Sequence, residues 1–145
     1  VSATERTGWR DQEISARHRR WGFNCPAVDV DFMLIEYDEG IPVAIIDYKL
    51  GLQREVEPTA ANHRAQQNLY VKANHQYIPV PHYIVTYETQ PAWRFRIRAV
   101  GVYALIYMKV AGGTELRTLS ESEYVAWLYE MRSQQRRRRE QRVIA

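Results

Sequence analysis

The chain has a single cysteine, Cys25, among its 145 residues. One thiol excludes an intramolecular disulfide and a cysteine-rich zinc site, so a reducing, cytoplasmic setting is expected. Long apolar runs are missing as well. None approaches the roughly 20 residues that span a bilayer, and the first residues lack the basic-then-apolar order of a signal peptide, so no membrane partner is expected. The four histidines, His18, His63, His75 and His82, show no H-E-x-x-H or similar spacing, and each reads as structural or exposed. Lysine is scarce: three lysines stand against seventeen arginines. The net charge of +3 is mild but unevenly spread. Arg17, Arg19 and Arg20 cluster, Arg94, Arg96 and Arg98 alternate along an extended stretch, and residues 136–139 are an unbroken arginine run. A planar guanidinium suits phosphate, which points to a polyanionic partner; a solvated surface is the plainer reading.

Against that background one segment stands out, from Asp29 to Lys49. Asp38-Glu39-Gly40 fits a three-residue hairpin loop whose last position is left-handed, where glycine costs least. The flanking segments, 28–37 and 41–50, then form two antiparallel strands with Tyr37 opposite Ile41. Counting back sets Asp31 opposite Asp47 and Asp29 opposite Lys49. Strand side chains alternate, so all four charged groups share one face at the end away from the turn. The rest of the hairpin is apolar on both faces, as in the middle of a covered sheet. Burying charge in such a setting is costly unless the charges are paired or bind a metal. Two acids on adjacent strands offer the hard oxygen ligands that magnesium takes, and Lys49 lies close enough to stabilise developing negative charge.

The remaining elements follow from local signals. Thr7 caps a first helix through about Trp21, with Ile14, His18 and Trp21 as its inward stripe and Glu13 one turn from Arg17. Pro58-Thr59 starts a second helix to about Asn74, on which Gln66 and Tyr70 share a face. Strands are expected at 82–87, 93–100 and 102–110, the second alternating Trp93, Phe95 and Ile97 with the arginine ladder, and Gly101 breaking it from the third. Ala111-Gly-Gly113 reads as a turn. Ser120 and Glu123 form a capping box with Leu119 and Tyr124 as its staple, and the last helix buries Tyr124, Trp127, Leu128 and Met131. One domain over residues 1–134 is expected, followed by a flexible arginine-rich tail over 135–145. The element order indicates an α/β (α+β) fold with a mixed sheet flanked by helices.

Acid, spacer, then Asp47-Tyr48-Lys49 at the end of an apolar strand resembles the PD-(D/E)xK nuclease superfamily. Gln66-x-x-x-Tyr70 on the following helix is similar to the QxxxY motif of its RecB-type exonuclease branch. The preceding helix carries Glu13, where many members place a further acid. The resemblance covers roughly Thr7 to Glu88. It implies a restriction-endonuclease-like fold and magnesium-dependent hydrolysis of phosphodiester bonds, with manganese able to substitute. By the same resemblance Asp31, Asp47 and the carbonyl of Tyr48 bind metal, while Lys49 orients water or stabilises charge. Gln66 and Tyr70 line the site, and Glu13 is an added ligand. Arg94, Arg96 and Arg98 become contacts to nucleic acid, with DNA the expected partner. Small nucleases of this kind often pair to cut both strands, so a homodimer is one expectation, and a phage or mobile-element origin another. The "PD" half is represented here by Val-Asp, and Asp29 competes with Asp31 for its role. A nucleic-acid-binding module of the same fold without activity is the alternative reading.

Overall fold

The expected hairpin opens the computed structural model, which describes residues 13–14, 16–17, 20, 30, 32–36, 38, 40–57, 61–73, 75–101, 103–105, 108 and 117–144. Its antiparallel strands are β1 (Phe32–Glu36) and β2 (Ile41–Leu50). Ile41 pairs with Glu36 rather than Tyr37, and Gly40, at φ 66°, donates its N–H to the Glu36 carbonyl at 2.8 Å. The loop is therefore one residue longer than the three expected. Pro42 has no N–H for the ladder, and the register shifts beside it. Ile35 pairs with Pro42 but Leu34 with Ala44, which leaves Val43 as an extra residue. That bulge cancels the longer loop, so from Leu34–Ala44 to Phe32–Ile46 the pairing is the expected one. Asp29 and Asp31 lie outside the described residues.

The chain continues through α1 (Ala61–Gln67), β3 (Tyr70–Ala73), β4 (Gln76–Pro79), β5 (His82–Glu88), β6 (Arg94–Val100), β7 (Thr118–Ser120) and α2 (Glu121–Ile144). The main sheet has the order β1-β2-β5-β6-β7, with β2 and β5 parallel and the other pairs antiparallel; β3 and β4 form a separate hairpin. Parallel pairing needs a crossover, and α1 with the small hairpin supplies it. The result is a mixed α+β fold, mostly antiparallel and flanked by helices.

Three expected elements differ. The second helix stops at Gln67 instead of Asn74. The Asn68 side chain donates to the Arg64 carbonyl at 3.1 Å and the Leu69 N–H to the Gln66 carbonyl at 3.3 Å, closing the last turn. Tyr70 and β-branched Val71 then enter a strand, where Val71 pairs with Ile78. Second, Gly101 does break the chain, at φ 89°, but described residues of the expected strand 102–110 are helical. Ala104 and Met108, one turn apart, are both buried, so the apolar spacing served a helix. Third, the last helix runs on to Ile144. Gln134 and Gln135 are buried, and Arg136 reaches Glu36 at 3.9 Å and Asp38 at 3.7 Å, tying the helix to the hairpin loop. The expected 111–113 turn lies outside the described residues. In the first expected helix Glu13, Ile14, Ala16, Arg17 and Arg20 are helical, but Ile14 is exposed, and His18 and Trp21 lie outside the described residues.

The two faces of the main sheet are chemically unlike. Ala44, Ile46, Tyr83, Val85, Phe95 and Ile97 face α2 and pack with Tyr124, Trp127 and Met131. Aromatic contacts knit that side: Tyr83 meets Trp127 edge-on at 4.9 Å, and Phe95 stacks on Tyr124 at 4.3 Å. Each large side chain fully buried here contributes about 1.5–3 kcal/mol of hydrophobic free energy. Trp93, expected on this core face, is half-exposed at the edge. No helix among the described residues is long and apolar enough to cross a membrane.

The start of α2 follows its local signal. Ser120 N–H donates to Glu123 Oε1 at 2.9 Å, and Glu123 N–H to Ser120 Oγ at 3.2 Å, with Leu119 and Tyr124 both in the core. Those bonds hold the Glu123 carboxyl below its ordinary range. Ser120→Ala is expected to lower the unfolding free energy by about 1 kcal/mol, measured by urea denaturation. An unchanged midpoint would show that the box contributes nothing.

Candidate functional site

The opposite face of the sheet carries the charges. Alternation along β2 sends Tyr48 toward α2, where its hydroxyl meets that of Tyr124 at 2.6 Å, and sends Asp47 and Lys49 the other way. Burial raises the pKa of both tyrosines; for Tyr48 the shared hydrogen bond partly offsets the rise. Asp47 is buried, and Lys49 Nζ lies 3.4 Å from its Oδ1. From α1, His63 brings Nε2 to 3.8 Å from Asp47 Oδ2. His82, at the start of β5, lies beneath, its ring 5.2 Å from that of His63. Gln66, three residues after His63 and so on the same helical face, is buried too.

The register extends the site sideways. Asp47, Ile84 and Arg98 form one cross-strand row, and Lys49, Thr86 and Arg96 the next. The end of β2 is held at several points. Thr86 Oγ1 donates to the Leu52 carbonyl at 3.0 Å, Gly51 N–H to the Tyr87 carbonyl at 2.8 Å, and Arg96 Nη1 to Gln53 Oε1 at 2.7 Å. Lys49 thus stands just before a segment tied at three successive residues to β5 and β6.

Of the residues expected at the site, the structure brings Asp47 and Lys49 together, and Gln66 is buried on the helix that carries His63. Tyr70 is elsewhere: it opens β3, is half-exposed, and shares no helical face with Gln66 because the helix has ended. Glu13 makes an exposed pair with Arg17 at 3.6 Å rather than standing beside Asp47. Arg94 is paired with Glu88. Asp31 lies outside the described residues. His63 and His82 are the members that the linear sequence did not single out. The signal for His63 was its spacing of three from Gln66 on one helix; nothing local marks His82, which reaches the site only through the parallel pairing of β2 with β5.

Two properties bear on a metal. Asp47 Oδ1 is buried and, beyond the 3.4 Å ion pair with Lys49, has no partner of hydrogen-bond geometry among the described residues, which leaves a lone pair for a hard cation. Among the same residues no group of three or more His, Cys, Asp or Glu is arranged to hold a metal ion. Magnesium commonly uses one or two carboxylates and completes its shell with water and phosphate oxygen, so a site built on Asp47 fits that habit.

No protein-family model, curated protein or solved structure matches this chain.

Neither ring nitrogen of His82 has a partner of hydrogen-bond geometry among the described residues. Burial first, and the nearby charge of His63 second, lower its pKa to about 4, against opposing contributions from Asp47 and the His63 backbone. The unfolded chain then binds a proton that the folded one refuses between pH 6.5 and about 4. Stability from this group is complete above pH 6.5, falls as the pH drops through that window, and changes no further below it. His82→Leu is expected to flatten the acid side of the stability profile relative to wild type, measured by urea unfolding at stepped pH. Parallel profiles would contradict a neutral, buried His82.

Proposed function

We propose that this chain is a magnesium-dependent nuclease of the PD-(D/E)xK type, hydrolysing phosphodiester bonds in DNA. The observation that carries the reading is a buried Asp47 with Lys49 two residues on, facing the same way, with Nζ 3.4 Å from the carboxylate. A buried acid near the end of a strand, facing a lysine and a histidine with few hydrogen bonds between them, is a costly arrangement for structure alone. The element order supports the same reading: a hairpin carries the Asp-x-Lys strand, a helix follows, and the chain returns as a parallel strand beside it.

When bound, magnesium supplies a lowered water pKa and neutralisation of phosphoryl charge. Asp47 is the ligand expected to hold it, with the carbonyl of Tyr48 and Asp31 as the further oxygens. Lys49 places an ammonium where it stabilises negative charge on the phosphate or orients the attacking water. His63 approaches the second carboxylate oxygen of Asp47 and so limits its rotation. Gln66, buried one turn after His63 on the same helix, adds a polar group to that face. Tyr70 has no part in this arrangement.

A second reading, a nucleic-acid-binding module without activity, is favoured by one fact: the described residues contain no three-ligand metal group. Cleavage separates the two. Labelled duplex and single-stranded DNA should be cut in magnesium or manganese. Asp47→Ala and Lys49→Ala should each reduce the rate by at least about 10²-fold with an unchanged circular dichroism spectrum. Salt-dependent DNA binding without cleavage would support the second reading. No cleavage of DNA or RNA in either metal would overturn the first.

A further inference from the structure

The three arginines of β6 are not equivalent. Arg94, at the open end, is neutralised by Glu88, and the Arg96 guanidinium is occupied by Gln53 in holding the loop after β2. Arg98 is different. Its Nε is buried, and among the described residues no hydrogen-bond acceptor reaches it and no carboxylate pairs with it. Its row runs through fully buried Ile84 to Asp47, so it stands on the same face as the candidate site, about 10 Å away across two strand spacings. The residue as a whole is partly exposed, as when an arginine stem lies along apolar surface and the charged tip reaches outward.

A guanidinium partly withdrawn from water, with no counter-ion among the described residues, destabilises the free protein; an anion that binds it relieves that cost. We infer that Arg98 is the phosphate anchor of this face, holding a backbone phosphate of bound DNA other than the one being cut, whereas Arg94 and Arg96 serve the fold. The inference rests on the nuclease reading for its partner, and on the row Asp47–Ile84–Arg98 for its position. Two consequences distinguish an anchor from a structural arginine. Removing Arg98 weakens DNA binding and lessens its salt dependence, because one fewer counterion is displaced. Removing it also leaves the free protein as stable as before or more so, because no partner among the described residues is orphaned.

The test uses the whole chain with fluorescein-labelled DNA, in chelator so that no cleavage occurs, by anisotropy at stepped salt. Arg98→Met should weaken binding about 10- to 100-fold. It should also reduce the slope of log affinity against log salt by about 1, with the thermal midpoint of the free protein unchanged or raised. Arg98→Lys should restore the slope but not the full affinity, since an ammonium keeps the charge and loses the bidentate fork. Arg94→Gln should leave both unchanged. Wild-type affinity and slope in Arg98→Met, in a protein that still cleaves DNA, would overturn the anchor and leave the nuclease reading intact. A lowered thermal midpoint in Arg98→Met would also overturn it, by showing a structural partner. If the wild type neither binds nor cuts DNA, the nuclease reading fails and the anchor fails with it.

Discussion

Strand β2 pairs antiparallel with β1 over Ile41–Ile46 and parallel with β5 over Ile45–Leu50, and its middle, from Val43 to Asp47, is buried. A strand in that position has both faces covered, and its alternation sorts residues between two different environments. Ala44, Ile46 and Tyr48 go to the aromatic layer under α2; Ile45, Asp47 and Lys49 go to the layer under α1. Shifting β2 by one residue would put Asp47 against Tyr124 and Trp127 and leave Tyr48 among the polar groups. The parallel pairing with β5 also fixes what lies beside Asp47, since it aligns Ile84 with it and sets His82 one row away.

The energetics of the two layers are opposed. The α2 side is a close-packed core that accounts for much of the stability of the fold. The α1 side holds a buried carboxylate with a lysine and a histidine within 4 Å of it, a second histidine ring beside the first and a buried glutamine one turn along α1, and desolvation of such groups costs more than their mutual attraction returns unless every one is satisfied. They are not all satisfied: His63 Nδ1 and both nitrogens of His82 lack hydrogen-bond partners among the described residues, and Asp47 Oδ1 has the 3.4 Å ion pair with Lys49 but no hydrogen bond. Polar groups left in that state within an otherwise regular sheet are where local rules yield to function. A cation at Asp47 and a phosphate nearby would supply partners of the required charge.

Much of this was legible in the linear chain where the cause was local. The left-handed Gly40, the capping box at Ser120 and the inward positions Tyr124, Trp127 and Met131 depend on neighbours within a few residues, and each is found as expected. The register beyond the bulge was also legible, although two departures cancelled: a longer loop, and Val43 displaced beside Pro42. What failed was decided at a distance. The spacing of Gln66 and Tyr70 suits a helix as well as it suits a turn into β3, and pairing with Pro79 drew Tyr70 into a strand. Residues 102–110 are apolar at spacings that suit strand or helix, and burial of Ala104 and Met108 favoured the helix. The arginine run past Gln134 looks like a solvated tail, but Gln135 is buried and Arg136 meets the hairpin loop. His82 carries no local mark of its place, because only the crossover sets it beside His63.

A nuclease site here requires Asp47 to be a metal ligand rather than the buried half of an ion pair. Crystals soaked in manganese, with anomalous scattering recorded, address that directly. The predicted result is an anomalous peak about 2.2 Å from an Asp47 oxygen, within hydrogen-bonding reach of the waters that Lys49 faces. A carboxylate closed on Lys49 and His63, with no peak beside it at saturating manganese, would contradict the account.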